Sequence, residues 1–210
     1  MIRLALTKGR IEQEAIKLIA AAGYDCSSLE KDARGRKLLF NVGDGKIEVV
    51  LAKAADVITY VEHGVCDIGI VGRDTIMEST GVFYEIADLG FGKCRFALAG
   101  MKGRDFYDGY SHKVIATKYP NVAKSYFTKK GIDVEVVKID GSVELAPLLR
   151  LSDAIVDIVE TGKTLVENGL EVKETIASVS ARLILNPVCA KLKNEEAFEF
   201  IGKLKNAIKE

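Results

Sequence analysis

The sequence predicts an α/β protein of two lobes with a cleft between them. Two observations carry this. Strand-like apolar runs alternate with segments of helical period along the whole chain, and the pattern runs through two cycles separated by a glycine-containing loop (Gly100, Gly103, Gly109). Strands alternating with helices argue for parallel sheets. The stretch Gly90–Gly92 is a candidate hinge, and two-lobed α/β proteins usually bind their ligand between the lobes.

In chain order, Ile2–Thr7 reads as a buried strand. Arg10–Ala22 reads as a helix, because Ile11, Ala15, Leu18, Ile19 and Ala22 recur at helical spacing and Gly23 follows as a stop. Lys37–Val42 and Lys46–Leu51 flank Gly43-Asp44-Gly45, a hairpin signal. A helix is expected over Ala54–His63, then strands over Cys66–Val71, Phe83–Leu89 and Arg95–Ala99. The second cycle has a strand at Lys113–Thr117 and a helix from Pro120, well suited to a first turn, to Lys129. Val134–Ile139, Ala154–Val159 and Val172–Val179 read as strands; Val143–Leu149 and Gly162–Asn168 read as short helical segments. Glu195–Ile208 is amphipathic, with Ala197, Ile201, Leu204 and Ile208 in register.

Composition excludes several classes. The 210 residues carry 30 basic and 30 acidic side chains, so there is no basic excess for nucleic acid. With 48% hydrophobic residues the chain is not disordered, and at this length it can bury roughly 70% of its unfolded surface. Cys26, Cys66, Cys94 and Cys189 form no CxxC pair or zinc spacing, and read as reduced thiols packed as small hydrophobes. No apolar run approaches the roughly 18 residues of a membrane span. Met1-Ile-Arg-Leu leads straight into a strand without the regions of a signal peptide, so a soluble cytoplasmic protein is expected.

Chemistry concentrates in Leu151–Leu165. Asp153 and Asp157 lie on one face of an apolar strand that enters the loop Glu160-Thr161-Gly162-Lys163-Thr164 and then a helix. Carboxylates on such a strand need a cation, hydroxyls or water. Strand, glycine loop and helix start together suit an anion, bound by backbone N–H groups and threonine hydroxyls. Gly162-Lys163-Thr164 matches the end of a Walker A loop, but Asp157 stands where its first glycine is required. Thr7-Lys8-Gly9-Arg10, Cys66–Asp74 and Gly90-Phe-Gly-Lys-Cys-Arg95 are further candidates at strand ends; no glycine cluster completes GxGxxG, and neither GxSxG nor HExxH occurs. Lys, Arg, Asp, Glu, Thr and backbone N–H groups suit polyphosphate binding and transfer chemistry driven by electrostatics.

These motifs resemble those of the ATP phosphoribosyltransferase family. The resemblance rests on Gly141-Ser-Val-Glu-Leu-Ala-Pro147, Leu151–Leu165, Asn168-Gly-Leu170, Ala116-Thr-Lys-Tyr-Pro120, Leu89–Arg95, Tyr60-Val-Glu-His-Gly64, Asp67–Asp74 and Thr7–Arg10, in the family's order over essentially the whole chain. It implies the first step of histidine biosynthesis: ATP and 5-phosphoribosyl 1-diphosphate give N1-(5-phosphoribosyl)-ATP and diphosphate, with Mg²⁺. It implies a type II periplasmic-binding-protein-like fold, with lobe I formed by residues 1–91 and 179–210 and lobe II by residues 92–178. The length resembles the short form, without a C-terminal histidine-binding domain, as a homodimer joined by a regulatory subunit resembling histidyl-tRNA synthetase.

By the same resemblance, Glu160, Thr161, Gly162, Lys163 and Thr164 hold the donor's 5-phosphate, and Asp157, with Asp153, meets the ribose hydroxyls or Mg²⁺. Glu144 braces that site. Lys8, Arg10 and Arg95 are assigned to the diphosphate or triphosphate; Asp67, Gly72, Arg73, Lys118 and Tyr119 are assigned to ATP. Two rivals share parts of the pattern. An exported solute-binding protein would have the same fold. A purine-salvage phosphoribosyltransferase would carry adjacent acids before its phosphate loop, whereas Ile158 and Val159 separate Asp157 from Glu160.

Overall fold

A computed structural model of the chain describes residues 1–30, 35–109, 112–192 and 195–208. The chain divides into two compact units, residues 1–92 with 180–210 and residues 93–179.

The first unit is built on β1 (Ile2–Thr7), β2 (Leu39–Val42), β3 (Ile47–Ala52), β4 (Ile68–Gly72), β5 (Tyr84–Asp88) and β11 (Ala181–Leu185), in the order β2-β3-β1-β4-β11-β5. The centre is parallel, with Leu4 facing Val49 on one side and Ile68 on the other. These central strands are apolar on both faces, as a sheet covered on both sides requires. One face packs under α1 (Arg10–Ala21) and α8 (Glu195–Ala207), burying Ala15, Ile19, Ala197, Phe200 and Leu204 in one core. The other face buries Ala5, Val71 and Ile184 with Val57 and Val61 of α2 (Ala54–Glu62). Gly69 is a glycine of necessity: a Cβ there would approach Val57, Val61 and Ile184 to within 2.9 Å.

The second unit has β6 (Cys94–Met101), β7 (Lys113–Thr117), β8 (Val134–Lys138), β9 (Ala154–Val159) and β10 (Leu170–Val179), in the order β10-β6-β9-β7-β8. Helix α4 (Pro120–Lys129) buries Val122, Ala123 and Phe127. Helices α5 (Leu145–Leu148) and α6 (Lys163–Glu167) cover the face that carries Ala97, Ala99, Ile155 and Val159.

Both sheets are mixed rather than parallel. β2, β5 and β11 lie in register with antiparallel neighbours in the first sheet, and β6 runs antiparallel to both β9 and β10 in the second. The cause is topological. The β2–β3 hairpin turns directly, with Asp44 at φ +55, and β10 runs into β11 with only Ser180 between them. Among the described residues, the sequence reading does not anticipate β11, α3 (Arg73–Glu78), α7 (Pro187–Lys191) or the 3-10 turn Ser27–Leu29. Asn186 caps α7 through its side-chain oxygen, which accepts from Val188 N and Cys189 N.

The cysteines are free, with Cys26, Cys66 and Cys189 buried. Burial pushes their thiols up to about 11, 12 and 11, so none is poised as a thiolate nucleophile. No helix among the described residues is long and apolar enough to cross a membrane.

Candidate active site

In open α/β sheets, ligand groups collect beyond the carboxyl ends of the parallel strands. Both sheets carry candidate polar groups at that edge, of different chemistry.

In the second unit, the carboxyl ends of β7 and β9 lead into Lys118 and into Glu160–Thr164, and the start of β6 places Arg95 beside Val159. Asp157 lies across from Ala97, on the same face as Ile155 and Val159. It lines a cavity of about 220 Å³ together with Glu144, Glu160, Thr161, Gly162 and Thr164. Gly162 takes a left-handed conformation, φ +79, which lets the loop turn sharply into α6. Thr161 Oγ1 accepts from Lys163 N at 3.3 Å, which tightens the loop and leaves neighbouring N–H groups for a ligand.

Three assigned residues fall elsewhere. Lys163 does not line the cavity; its side chain is 81% exposed and pairs with Glu167 at 3.7 Å, one helical turn on. Asp153 stands at the start of β9, where its carboxylate accepts from Val114 N at 2.8 Å. It shares a face with Asp157, but four residues of strand separate the two by about 13 Å. Tyr119 is only 9% exposed, and its ring packs edge-on against Phe96 at 4.9 Å. Phe96 lies on the face of the sheet opposite Asp157, so the ring is a core element and Lys118 is the exposed member of the pair.

In the first unit, Lys8, Gly9 and Arg10 follow β1; Gly72 ends β4 and Arg73 follows it. Gly9 adopts φ +103, ψ −134, a conformation open to glycine. Its N–H donates to Glu12 Oε2 at 3.0 Å, so an internal carboxylate, 4% exposed, already caps α1. A Cβ on Gly72 would fall 2.1 Å from Asp74 Oδ1; the glycine leaves room for that carboxylate at the start of α3. Asp67 lies at the other end of β4. It accepts from Arg3 N at 2.8 Å and ties β1 to β4 rather than joining Gly72 and Arg73. The Asp67–Asp74 motif spans a whole strand, so its two ends cannot share a site.

Sequence reasoning missed Arg36 and Lys37. They enter β2 antiparallel to β3, and this returns them to the carboxyl edge, where they line a cavity of about 320 Å³ with Lys8 and Glu12. The basic run Arg34-Gly-Arg-Lys37 carries this in the sequence, although no ligand motif contains it. Among the described residues no cluster of three or more His, Cys, Asp or Glu side chains forms a metal cage.

The family model described as HisG, ATP phosphoribosyltransferase, matches residues 53–209. An ATP phosphoribosyltransferase of Clostridium kluyveri is 59% identical over 209 residues, covering 100% of this chain and 94% of that protein. One of Clostridium acetobutylicum is 54% identical over 207 residues, with 99% and 95% covered. The solved ATP phosphoribosyl transferase (HisG:HisZ) complex of Thermotoga maritima superposes with a TM-score of 0.83 at 36% identity, over 99% of this chain and 98% of that one. The periplasmic VFT2 domain of Bordetella pertussis BvgS reaches a TM-score of 0.58 at 11% identity, a likeness of fold alone. By the family model and these relatives, the chain belongs to the ATP phosphoribosyltransferase family, glycosyltransferases that carry out the first step of histidine biosynthesis.

Proposed function

We propose that the cavity at the carboxyl edge of the second sheet binds 5-phosphoribosyl 1-diphosphate through its ribose 5-phosphate. The carrying observation is that Glu144, Asp157, Glu160, Thr161, Gly162 and Thr164 line one cavity. Loop N–H groups and the Thr161 and Thr164 hydroxyls take the phosphate; Asp157 accepts from the ribose hydroxyls, and Glu144 braces the loop. Helix α6 has five residues, so the loop's own donors do this rather than a long helix dipole.

Adenine N1 carries a lone pair at neutral pH, so no strong base is needed. It displaces diphosphate directly at the anomeric carbon; the new N1–C1 bond forms as the C1–O bond to diphosphate breaks. Holding N1 in line supplies much of the rate. Positive charge develops on the ribose, and Asp157 stabilises it. Lys8, Arg10 and Arg95, with Arg36 of the 320 Å³ cavity, are the cations proposed for the departing diphosphate and the triphosphate. Arg73 and Lys118 are proposed to contact ATP.

Mg²⁺ fits this donor set. Magnesium prefers one or two carboxylates together with substrate phosphates over a cage built by protein alone. Asp157 would hold it, and the ion would neutralise diphosphate charge. Because the Thermotoga maritima relative is solved as a HisG:HisZ complex, we also propose that this chain forms a homodimer that assembles with a histidyl-tRNA-synthetase-like regulatory subunit in the cytoplasm. A diphosphate-release assay, omitting ATP or the phosphoribosyl donor in turn, with and without the regulatory subunit, tests the reading. Release dependent on both substrates is expected; failure of ATP to act as acceptor in every condition overturns it.

A further inference from the structure

A cavity of about 720 Å³ lies at the amino edge of the second sheet, the edge opposite the Glu160–Thr164 loop. Its volume is that of a small-molecule site. Four cations line it: Arg104, Lys113, Arg150 and Lys173. Lys113 donates to the Asp108 carbonyl at 2.8 Å, and Lys173 pairs with Glu171 at 2.6 Å. Arg104 and Arg150 have no ion-pair partner among the described residues. Three acids line it as well: Asp153 accepts from Val114 N, Asp105 accepts from Tyr107 N at 3.0 Å, and Asp108 stands beside them. The guanidinium groups of Arg104 and Arg150 are exposed, with their forks open to solvent or to a ligand.

Two further features mark the place. Ser152 lines the cavity at 9% exposure, and its Oγ is buried without a hydrogen-bond partner. A buried, unsatisfied hydroxyl is costly and calls for a ligand or water to complete it. Arg150 stands at φ +59, just past the end of α5, where its N–H donates to the Pro147 carbonyl. Glycine is the default there, because a side chain in that conformation is strained. This chain keeps a long cation at a position whose backbone favours glycine.

We propose that this cavity is a second anion site, independent of the reaction centre, for a small dianion of the phosphate-monoester or dicarboxylate type. Arg104 and Arg150 clamp the anion, since each planar fork matches such groups bidentately. Ser152 adds a hydroxyl donor.

The test titrates inorganic phosphate, and separately succinate, into the full chain by calorimetry. At least one probe should show a binding event, weakened about tenfold in Arg104→Ala and in Arg150→Gly, the loss of a charge-assisted pair. The probe that binds identifies the ligand class. Arg150→Gly should also melt higher than wild type, because it relieves the left-handed strain, so weaker binding cannot be ascribed to lost folding. Thr161→Ala, in the donor loop, should leave this binding intact, which keeps the test separate from the catalytic assignment. Binding of neither probe, or equal affinity in both arginine variants, overturns the proposal.

Discussion

The two sheets place functional side chains at the same kind of edge and equip it differently. The carboxyl edge of the first sheet carries cations: Lys8, Arg10, Arg36, Lys37 and Arg73. That of the second carries carboxylates and hydroxyls around a glycine turn: Glu144, Asp157, Glu160, Thr161 and Thr164. A shared scaffold therefore does not dictate shared chemistry. It supplies an edge where backbone groups are exposed, and the loops decide which side chains that edge presents. The sharpest test is Asp157→Asn. The isosteric change should lower kcat by about 100-fold while leaving the melting temperature nearly unchanged, because only charge toward the transition state is lost. Turnover near wild type would remove Asp157 from the chemistry.

Within the second edge, Thr161 and Lys163 form an internal contrast. Thr161→Ala should raise KM for the phosphoribosyl donor about tenfold, the effect of one charge-assisted hydrogen bond. Lys163→Ala should change it by less than about twofold, since an exposed one-turn pair with Glu167 contributes little. The reverse ranking would mean that Lys163 swings into the cavity. On the first edge, Gly9→Ala reads backbone rather than charge. No atom lies within 4 Å of the added Cβ, so the whole cost is the φ +103 conformation, about 1–3 kcal/mol of stability by denaturant melt. A neutral result would mean that the Lys8–Arg10 turn rearranges freely.

How much of this was legible beforehand depends on what punctuates the chain. Helix α1 could be read from its period, and the Glu160–Thr164 loop from its glycine and threonines, because local chemistry fixes both. The passage from β10 to β11 was legible only through the family resemblance, which sets the lobe boundary between residues 178 and 179, against 179 and 180 in the structure. No glycine, proline or asparagine interrupts Val172–Leu185, so one extended run hides two strands of different sheets. The scatter of the assigned site residues has a related reason. Motifs are linear, but a strand carries its two ends far apart. Asp67 and Asp153 sit at the amino ends of β4 and β9, where each accepts a hydrogen bond from a neighbouring backbone N–H, of Arg3 and Val114. Tyr119 differs again: whether an aromatic beside a strand end joins ligand or core depends on its partner, here Phe96.

The smallest effect lies away from both edges. Glu174 of β10 accepts hydrogen bonds from Tyr126 and Lys130, and Lys130 also donates to the Tyr107 hydroxyl at 2.8 Å. Burial would raise the Glu174 carboxyl, but the hydrogen bonds from Lys130, Tyr126 and Tyr107 outweigh it and hold it at about 2, against an ordinary 4.5. A depressed carboxyl contributes stability above its unfolded value and loses it as pH falls toward its folded value. The contribution is therefore full above about pH 4.5 and disappears between there and about pH 2. Wild type should exceed Glu174→Gln in stability at neutral pH by about 1 kcal/mol or less, as a partly exposed network allows. The gap should close through that acid window, read as amide-exchange protection in α4 and β10. A gap that stays constant from pH 6 to pH 2 would mean that the network's charge contributes nothing to holding α4 on its sheet.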